Sequence, residues 1–189
     1  MTKNHPAPSP EAIPSPSGRL DGTGSHGRVV VGVDDSPGGR AALRFAAEEA
    51  ELRKAELHIV CAWSLPGGHT GHGAYPGPLR DAVVEDARCT LDTLACEVSG
   101  AHPNVAYVLA VGEPPPARAL IGASQHADLV VVGSRGRGGF AGLLLGSVSA
   151  QVVHHAHCPV VVVRPTNGSV PTEPENSGYP LGSKDEAGQ

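Results

Sequence analysis

Apolar residues fall along this chain in two alternating kinds of segment. Five short runs rich in β-branched side chains have the length of strands: RVVVGV at 28 to 33, ELHIVCAW at 56 to 63, NVAYVLAV at 104 to 111, DLVVVG at 128 to 133 and PVVVVR at 159 to 164. Most are continuous rather than alternating, as suits strands covered on both faces. The third differs, because Val105, Tyr107, Leu109 and Val111 alternate and point to one more exposed face. Between the runs the period becomes helical. Leu43, Ala46, Ala47 and Ala50 recur at i, i+3, i+4 and i+7, as do Ser149, Val152, Val153 and Ala156. Val84, Ala87, Leu91, Leu94, Ala95 and Val98 form a longer stripe, and Ala117, Leu120, Ile121 and Ser124 a short face after the prolines at 114 to 116.

The resulting order, β-α-β-α-β-α-β-α-β, predicts right-handed crossovers and a mainly parallel sheet with helices on both sides. Such sheets bind ligands beyond the carboxyl ends of the strands, where the winding direction reverses. The segment SLPGGHTGHGAYPGP at 64 to 78 reads as a long loop, a lid or a variable surface excursion.

Composition delimits the folded part. Residues 1 to 27 contain five prolines between Pro6 and Pro16 and almost no large apolar side chain, and residues 165 to 189 are polar and acidic. Neither stretch can bury enough apolar surface to offset the entropy of ordering it, so both read as disordered tails around a domain at 28 to 164. The formal net charge is -5, to which the last tail contributes four acids against one base. That balance argues against a nucleic-acid or membrane surface. Cys61, Cys89, Cys96 and Cys158 form no CxxC pair, and no apolar run approaches a membrane span or a secretory signal. The expectation is a soluble cytoplasmic protein with reduced thiols.

The chemistry concentrates after the fourth strand. Gly133, Ser134, Arg135, Gly136, Arg137, Gly138 and Gly139 are followed by a small apolar turn and by Gly146, Ser147, Val148 and Ser149, which open the last helix. Glycine lets backbone approach a phosphate closely, and successive N–H groups at a helix N-terminus carry positive partial charge. Ser147 and Ser149 add hydroxyl donors, and either suits a helix cap. No GK(S/T) follows, and the first strand leads into DDSPGGR rather than GxGxxG, so neither a Walker A loop nor a dinucleotide fingerprint is present. By composition alone such a connection is about twice as often a plain turn as a phosphate site.

The spacing of Gly133, Gly136, Gly146 and Ser147 is similar to the G-x2-G-x9-G-(S/T) ATP-binding signature of universal stress proteins. VVVGVDDSPGGRAALRFAAEEA resembles that family's first strand and helix, VGEPPPARALIGASQHADLVVVGSRG its fourth segment, and SAQVVHHAHCPVVVVR its last helix and strand. The resemblance implies a three-layer α/β/α sandwich with a five-stranded parallel sheet in the order 3-2-1-4-5, the adenine nucleotide alpha hydrolase-like architecture. It further implies that Asp34 meets the ribose or adenine, that the backbone of Ala62 reads the adenine edge, and that Val111 and Gly112 lie near the nucleotide. Gly133, Gly136, Gly146, Ser147, Val148 and Ser149 match the phosphate-contacting set; pairing of Arg135 with phosphate is a further hypothesis. ATP with magnesium is the implied ligand. Asp35 reads as a cap for the following helix or as a solvated neighbour. The run EPPPAR departs from the family, which enters its third helix more directly.

Three other readings compete. His154, His155, His157 and Cys158, with His69 and His72, tempt a metal-site reading, but helix-end imidazoles complement the helix dipole without one. No triad, paired catalytic carboxylates or P-loop lysine is recognisable, so no catalytic residue is assigned and slow ATP hydrolysis is the most an enzyme reading supports. A nucleotide-free interaction protein is the third. PVVVVR would be an apolar sheet edge in the implied order, and a homodimer pairing through Val160 to Val163 would cover it.

Overall fold

The computed structural model describes residues 27–63, 77–138 and 144–165. Five strands, β1 (Arg28–Val33), β2 (Glu56–Ala62), β3 (Tyr107–Gly112), β4 (Leu129–Gly133) and β5 (Val160–Val163), alternate with four helices, α1 (Pro37–Arg53), α2 (Gly77–Ala101), α3 (Pro116–Ser124) and α4 (Ser147–His155). The strands form one parallel sheet in the order β3-β2-β1-β4-β5. The expected fold class and strand order are therefore the observed ones. Among the described residues no helix is long and apolar enough to cross a membrane.

The continuous valine runs follow from this position. In central β1, Val29 and Val31 face the core shared with α1 and α2, while Val30 faces the opposite core with Leu120 of α3 and Val152 of α4. A strand covered twice has no polar face to offer. β3 is an edge strand: Leu109 and Val111 pack toward the α1 and α2 layer, Tyr107 on the same face sets its hydroxyl 2.9 Å from Ser99 Oγ, and Ala110 on the other face packs on the opposite core, so the strand is half-buried on both faces rather than exposed on one. β5, the other edge, is half-buried at all four positions.

Element boundaries shift for identifiable reasons. β3 starts at Tyr107 rather than Asn104, because the Val105 N–H donates to the His102 carbonyl at 3.1 Å and completes the turn leaving α2. α2 begins at Gly77, so the last two residues of the expected 64 to 78 loop are helical; the remainder lies outside the described residues. The cap of α1 is Ser36, not Asp35: the Gly39 N–H donates to Ser36 Oγ at 3.0 Å, and Pro37 takes the first helical position, where its missing N–H costs nothing. Asp35 takes its other expected place, exposed to solvent, and pairs there with Arg40 at 2.5 Å; Arg40 also reaches Glu97 of α2.

Asp128 and His58, two polar side chains at the sheet, have structural partners. Asp128 Oδ2 accepts from the Arg28 N–H at 2.7 Å, joining the starts of β4 and β1. His58 pairs with Glu56 at 2.5 Å along β2.

Candidate functional site

The sheet order sets the carboxyl ends of β1 and β4 side by side, with Gly32 opposite Val132 in the ladder. Asp34 leaves β1 there. Its Oδ1 accepts from Ser36 Oγ at 2.5 Å, and its Oδ2 accepts from the Arg137 N–H at 2.9 Å. One carboxylate thus joins the first turn of α1 to the loop after β4.

That loop is seated by close backbone approach. A Cβ on Gly133 would lie 2.6 Å from the Gly38 carbonyl carbon, and one on Gly136 would overlap Asp34 Oδ2. Gly133 admits only glycine, because its obstacle is main chain, whereas a side chain at Gly136 would require the Asp34 carboxylate to turn away. At Gly146 the nearest atom to such a Cβ is 3.6 Å away, and its backbone (φ -73°, ψ 164°) suits any residue. Three glycines of one motif therefore answer two different demands.

Gly146 is the N-cap of α4, and no side chain caps that helix. Neither Ser147 nor Ser149 takes the capping role expected of them, because both lie inside the helix. Ser149 Oγ donates to the Gly133 carbonyl at 2.7 Å, locking α4 onto the end of β4. The Gly146 N–H donates to the Ser134 carbonyl at 2.8 Å. The first-turn amides of Ser147, Val148 and Ser149 face no intrahelical acceptor, as at any helix start. Such amides suit an anion.

These residues border a cavity of about 910 Å³ beyond the strand ends. Asp34, Gly133, Arg135, Gly136, Gly146, Ser147, Val148 and Ser149, all expected at the site, line it. Ala62 ends β2 and pairs with Gly112 in the ladder. Val111 and Gly112 stand at the end of β3 and are not among the lining residues; Val111 packs toward the α1 and α2 core instead. The departure at EPPPAR puts Pro116, the first residue of α3, on the cavity wall.

The opposite wall went unforeseen. Cys61, Trp63, Val83, Asp86 and Ala87 line it, the last three from α2. Burial pushes the Cys61 thiol up to about 11, an effect opposed by Arg137. The Arg137 guanidinium lies 3.8 Å from Asp86 across the mouth, both side chains exposed. The helical stripe at Val84, Ala87 and Leu91 predicted that α2 would pack. It could not show that Val83 and Asp86, on the flank of that stripe, would border a ligand-sized space.

Among the described residues the histidines do not converge on it. His154 and His155 occupy the last turn of α4, and their ring centroids are 6.3 Å apart. Among the described residues no group of three or more His, Cys, Asp or Glu side chains is placed to hold a metal ion. His69 and His72 lie outside those residues.

Comparison with known proteins agrees with the geometry. Residues 26–164 match the family model described as the universal stress protein family. Universal stress protein Mb2028c of Mycobacterium bovis is 41% identical over 139 residues, covering 74% of this chain and 46% of that protein. Universal stress protein Rv2623 of Mycobacterium tuberculosis is 40% identical over 136 residues, covering 72% and 44%. The chain thus spans less than half the length of these relatives. Among solved structures, a universal stress protein from Archaeoglobus fulgidus in complex with dAMP has a TM-score of 0.53 at 26% identity, covering 73% of this chain and 98% of that one. A universal stress protein in complex with cAMP has a TM-score of 0.51 at 26% identity, covering 76% and 100%.

Proposed function

The chain belongs to the universal stress protein family, and from that premise we propose that it binds ATP with magnesium in the cavity at the ends of β1 and β4, as the ligand-responsive part of a regulatory homodimer in the stress response. The observation that carries this reading is the joint placement of Asp34, the Gly133 to Gly136 loop and the uncapped start of α4 around one cavity. The backbone amides at the α4 start and Arg135 would hold phosphate. The apolar wall with Trp63, Val83 and Ala87 would take the base, and the cavity volume falls in the usual range for small-molecule sites. Solved relatives carrying dAMP and cAMP support an adenine nucleotide; the triphosphate and magnesium are our extension.

No nucleophile or base is assigned, so the protein is read as a binder rather than an enzyme. The edge strand Val160–Val163 is the surface on which a second copy would dock, since an apolar strand edge invites pairing. We place the protein in the cytoplasm, with residues 1–27 and 165–189 as tails outside the domain at 28–164, and assign it no nucleic-acid or membrane partner.

Calorimetric titration with magnesium and ATP tests the central claim. Wild type should give saturable heat, and Gly136→Asp, which sets a second carboxylate against Asp34, should weaken binding at least about a hundredfold. Ser147→Ala, a milder change, should weaken it roughly threefold to tenfold. Absence of heat with wild type, together with no nucleotide released on denaturing fresh protein, would sink the reading in favour of a nucleotide-free interaction protein. Steady, saturable phosphate release would move it to an ATPase. Sedimentation velocity at several concentrations tests the homodimer, which a concentration-independent monomer would exclude.

A further inference from the structure

The α2 wall of the cavity divides at Ala87. The buried residues of this 25-residue helix are Ala87, Leu91, Leu94, Ala95 and Val98; before them Val83 and Val84 are half-buried and the other residues of 77–86 are exposed. Val83 and Asp86, which line the cavity, therefore stand on an overhang with no buried side chain of its own. We propose that this overhang is a gate: residues 77–86 unwind locally to admit and release the ligand, and two exposed ion pairs hold them closed. The ligand half of this proposal rests on the nucleotide reading above; the opening of the wall does not.

The two halves of α2 are held by different forces. From Ala87 onward the helix buries an apolar stripe in the core, and polar side chains reinforce it: Glu97 reaches Arg40 of α1, His102 Nδ1 lies 2.7 Å from Glu51, and Ser99 Oγ lies 2.9 Å from the Tyr107 hydroxyl. Before Ala87, two ion pairs among the described residues tie the overhang to other elements. Arg80 lies 2.9 Å from Glu113, just past the end of β3, and Asp86 lies 3.8 Å from Arg137 in the loop after β4. One strap thus runs toward β3 and the other toward β4, on either side of β2 and β1.

All four strap side chains are exposed. An exposed pair shifts an equilibrium by about fivefold at most, and salt screens it. The overhang adds little to that, because a short helical segment without a packed apolar face is marginal in water. Closure is therefore shallow. The stripe from Ala87 onward must stay seated for the core to survive, whereas the overhang can open without disturbing it. Opening takes Val83 and Asp86 out of the wall and widens the mouth beside the glycine loop.

Asp86 and Arg137 border the cavity, so the strap to cut is the one that does not, Arg80 with Glu113. Arg80→Gln and Glu113→Gln each break it while changing net charge in opposite directions, so an effect shared by both reports the pair and not the charge. Hydrogen exchange on the full chain without ligand is read at amides 82–86, far enough into the helix to have acceptors, and at amides 91–98. In wild type the first group should exchange at least about a hundredfold faster than the second, and about threefold faster again in either variant or at high salt, with 91–98 unchanged. Stopped-flow binding of magnesium and ATP should show association and dissociation both quickened about threefold in each variant, with Kd within about twofold, as a gate requires. Amides at 82–86 that exchange as slowly as those at 91–98, or that ignore both substitutions, overturn the proposal. Faster exchange with unchanged ATP kinetics also overturns it, since the overhang would then open without gating the ligand. If wild type binds no ATP, the nucleotide reading fails and the exchange pattern alone supports or overturns the opening wall.

Discussion

The two ends of the cavity are built by opposite means. At the β4 end the wall is backbone: Gly133 and Gly136 press on Gly38 and Asp34, and the start of α4 presents main-chain amides. At the α2 end the wall is side chains, Val83, Asp86 and Ala87 on one helix with Trp63 and Cys61 leaving β2. A backbone wall fixes its shape by close main-chain contact, so it tolerates substitution badly where that contact is made, as at Gly133. A side-chain wall keeps its shape under many substitutions and changes its chemistry with each. Rigid anion recognition and adjustable base recognition divide naturally between them.

The sharpest test of that contrast lies inside the backbone wall. Gly133→Ala places a methyl 2.6 Å from a main-chain carbon that cannot turn aside, so it should cost about 3 kcal/mol of stability. Gly146→Ala meets nothing closer than 3.6 Å and should change stability by less than about 0.5 kcal/mol. Urea unfolding of the two variants reads the difference. Equal losses would mean that all three glycines serve packing alike. A stable Gly146→Ala protein that no longer binds ATP would identify Gly146 as the position where the ligand itself demands the missing side chain.

The same contrast explains what could be read from the sequence. Each strand's existence, and the strand order through the family resemblance, were legible because β1 and β4 are covered on both faces and spell that out as valine runs. The backbone wall was legible because glycine leaves a mark in the sequence wherever chains must touch. Its internal logic was not, since the overlap of Gly136 with Asp34 joins segments about a hundred residues apart. The helix caps were misjudged for a related reason. Ser36 before Pro37 is a strong start signal, but the adjacent Asp35 offered the same capping chemistry, and only the geometry shows it exposed and paired with Arg40. The side-chain wall left no mark, because Val83 and Asp86 are ordinary residues for an amphipathic helix. Trp63 read simply as the end of a strand.

Cys61 probes how far the side-chain wall is shut off from water. Burial raises its pKa from 9.0 to about 11, with Arg137 opposing the shift. A thiol whose folded pKa lies above its unfolded value adds stability that is whole below pH 9 and is lost as pH rises through about 11. Wild type should therefore lose on the order of 2 kcal/mol more than Cys61→Ala across that window, as read by urea unfolding at stepped pH. Alkylation gives a second reading: at pH 8 Cys61 should react at least about a hundredfold more slowly than the exposed Cys89 and Cys96. Parallel pH curves for the two proteins, or equal alkylation rates, would show the wall to be open.

The smallest effect belongs to the place where the two walls meet. Arg137 is held through its backbone by Asp34, and its guanidinium lies 3.8 Å from Asp86 on α2 with both side chains exposed. At that separation and exposure the pair contributes little to stability, so Asp86→Asn should leave the unfolding midpoint nearly unchanged. Its effect should fall on the ligand. Removing the acid lowers the negative charge at the mouth and releases Arg137 toward a phosphate, so ATP affinity should rise roughly twofold to fivefold at low salt. The gain should fade as ionic strength is raised, because the mouth is open to counter-ions. Affinity that falls in Asp86→Asn would mean that the carboxylate contacts the ligand directly, making the α2 wall a polar reader of the nucleotide and not only an apolar bed for it. An increase that persists at high salt would instead mean that Asp86 acts by shaping α2, which the salt-free unfolding midpoint would then register.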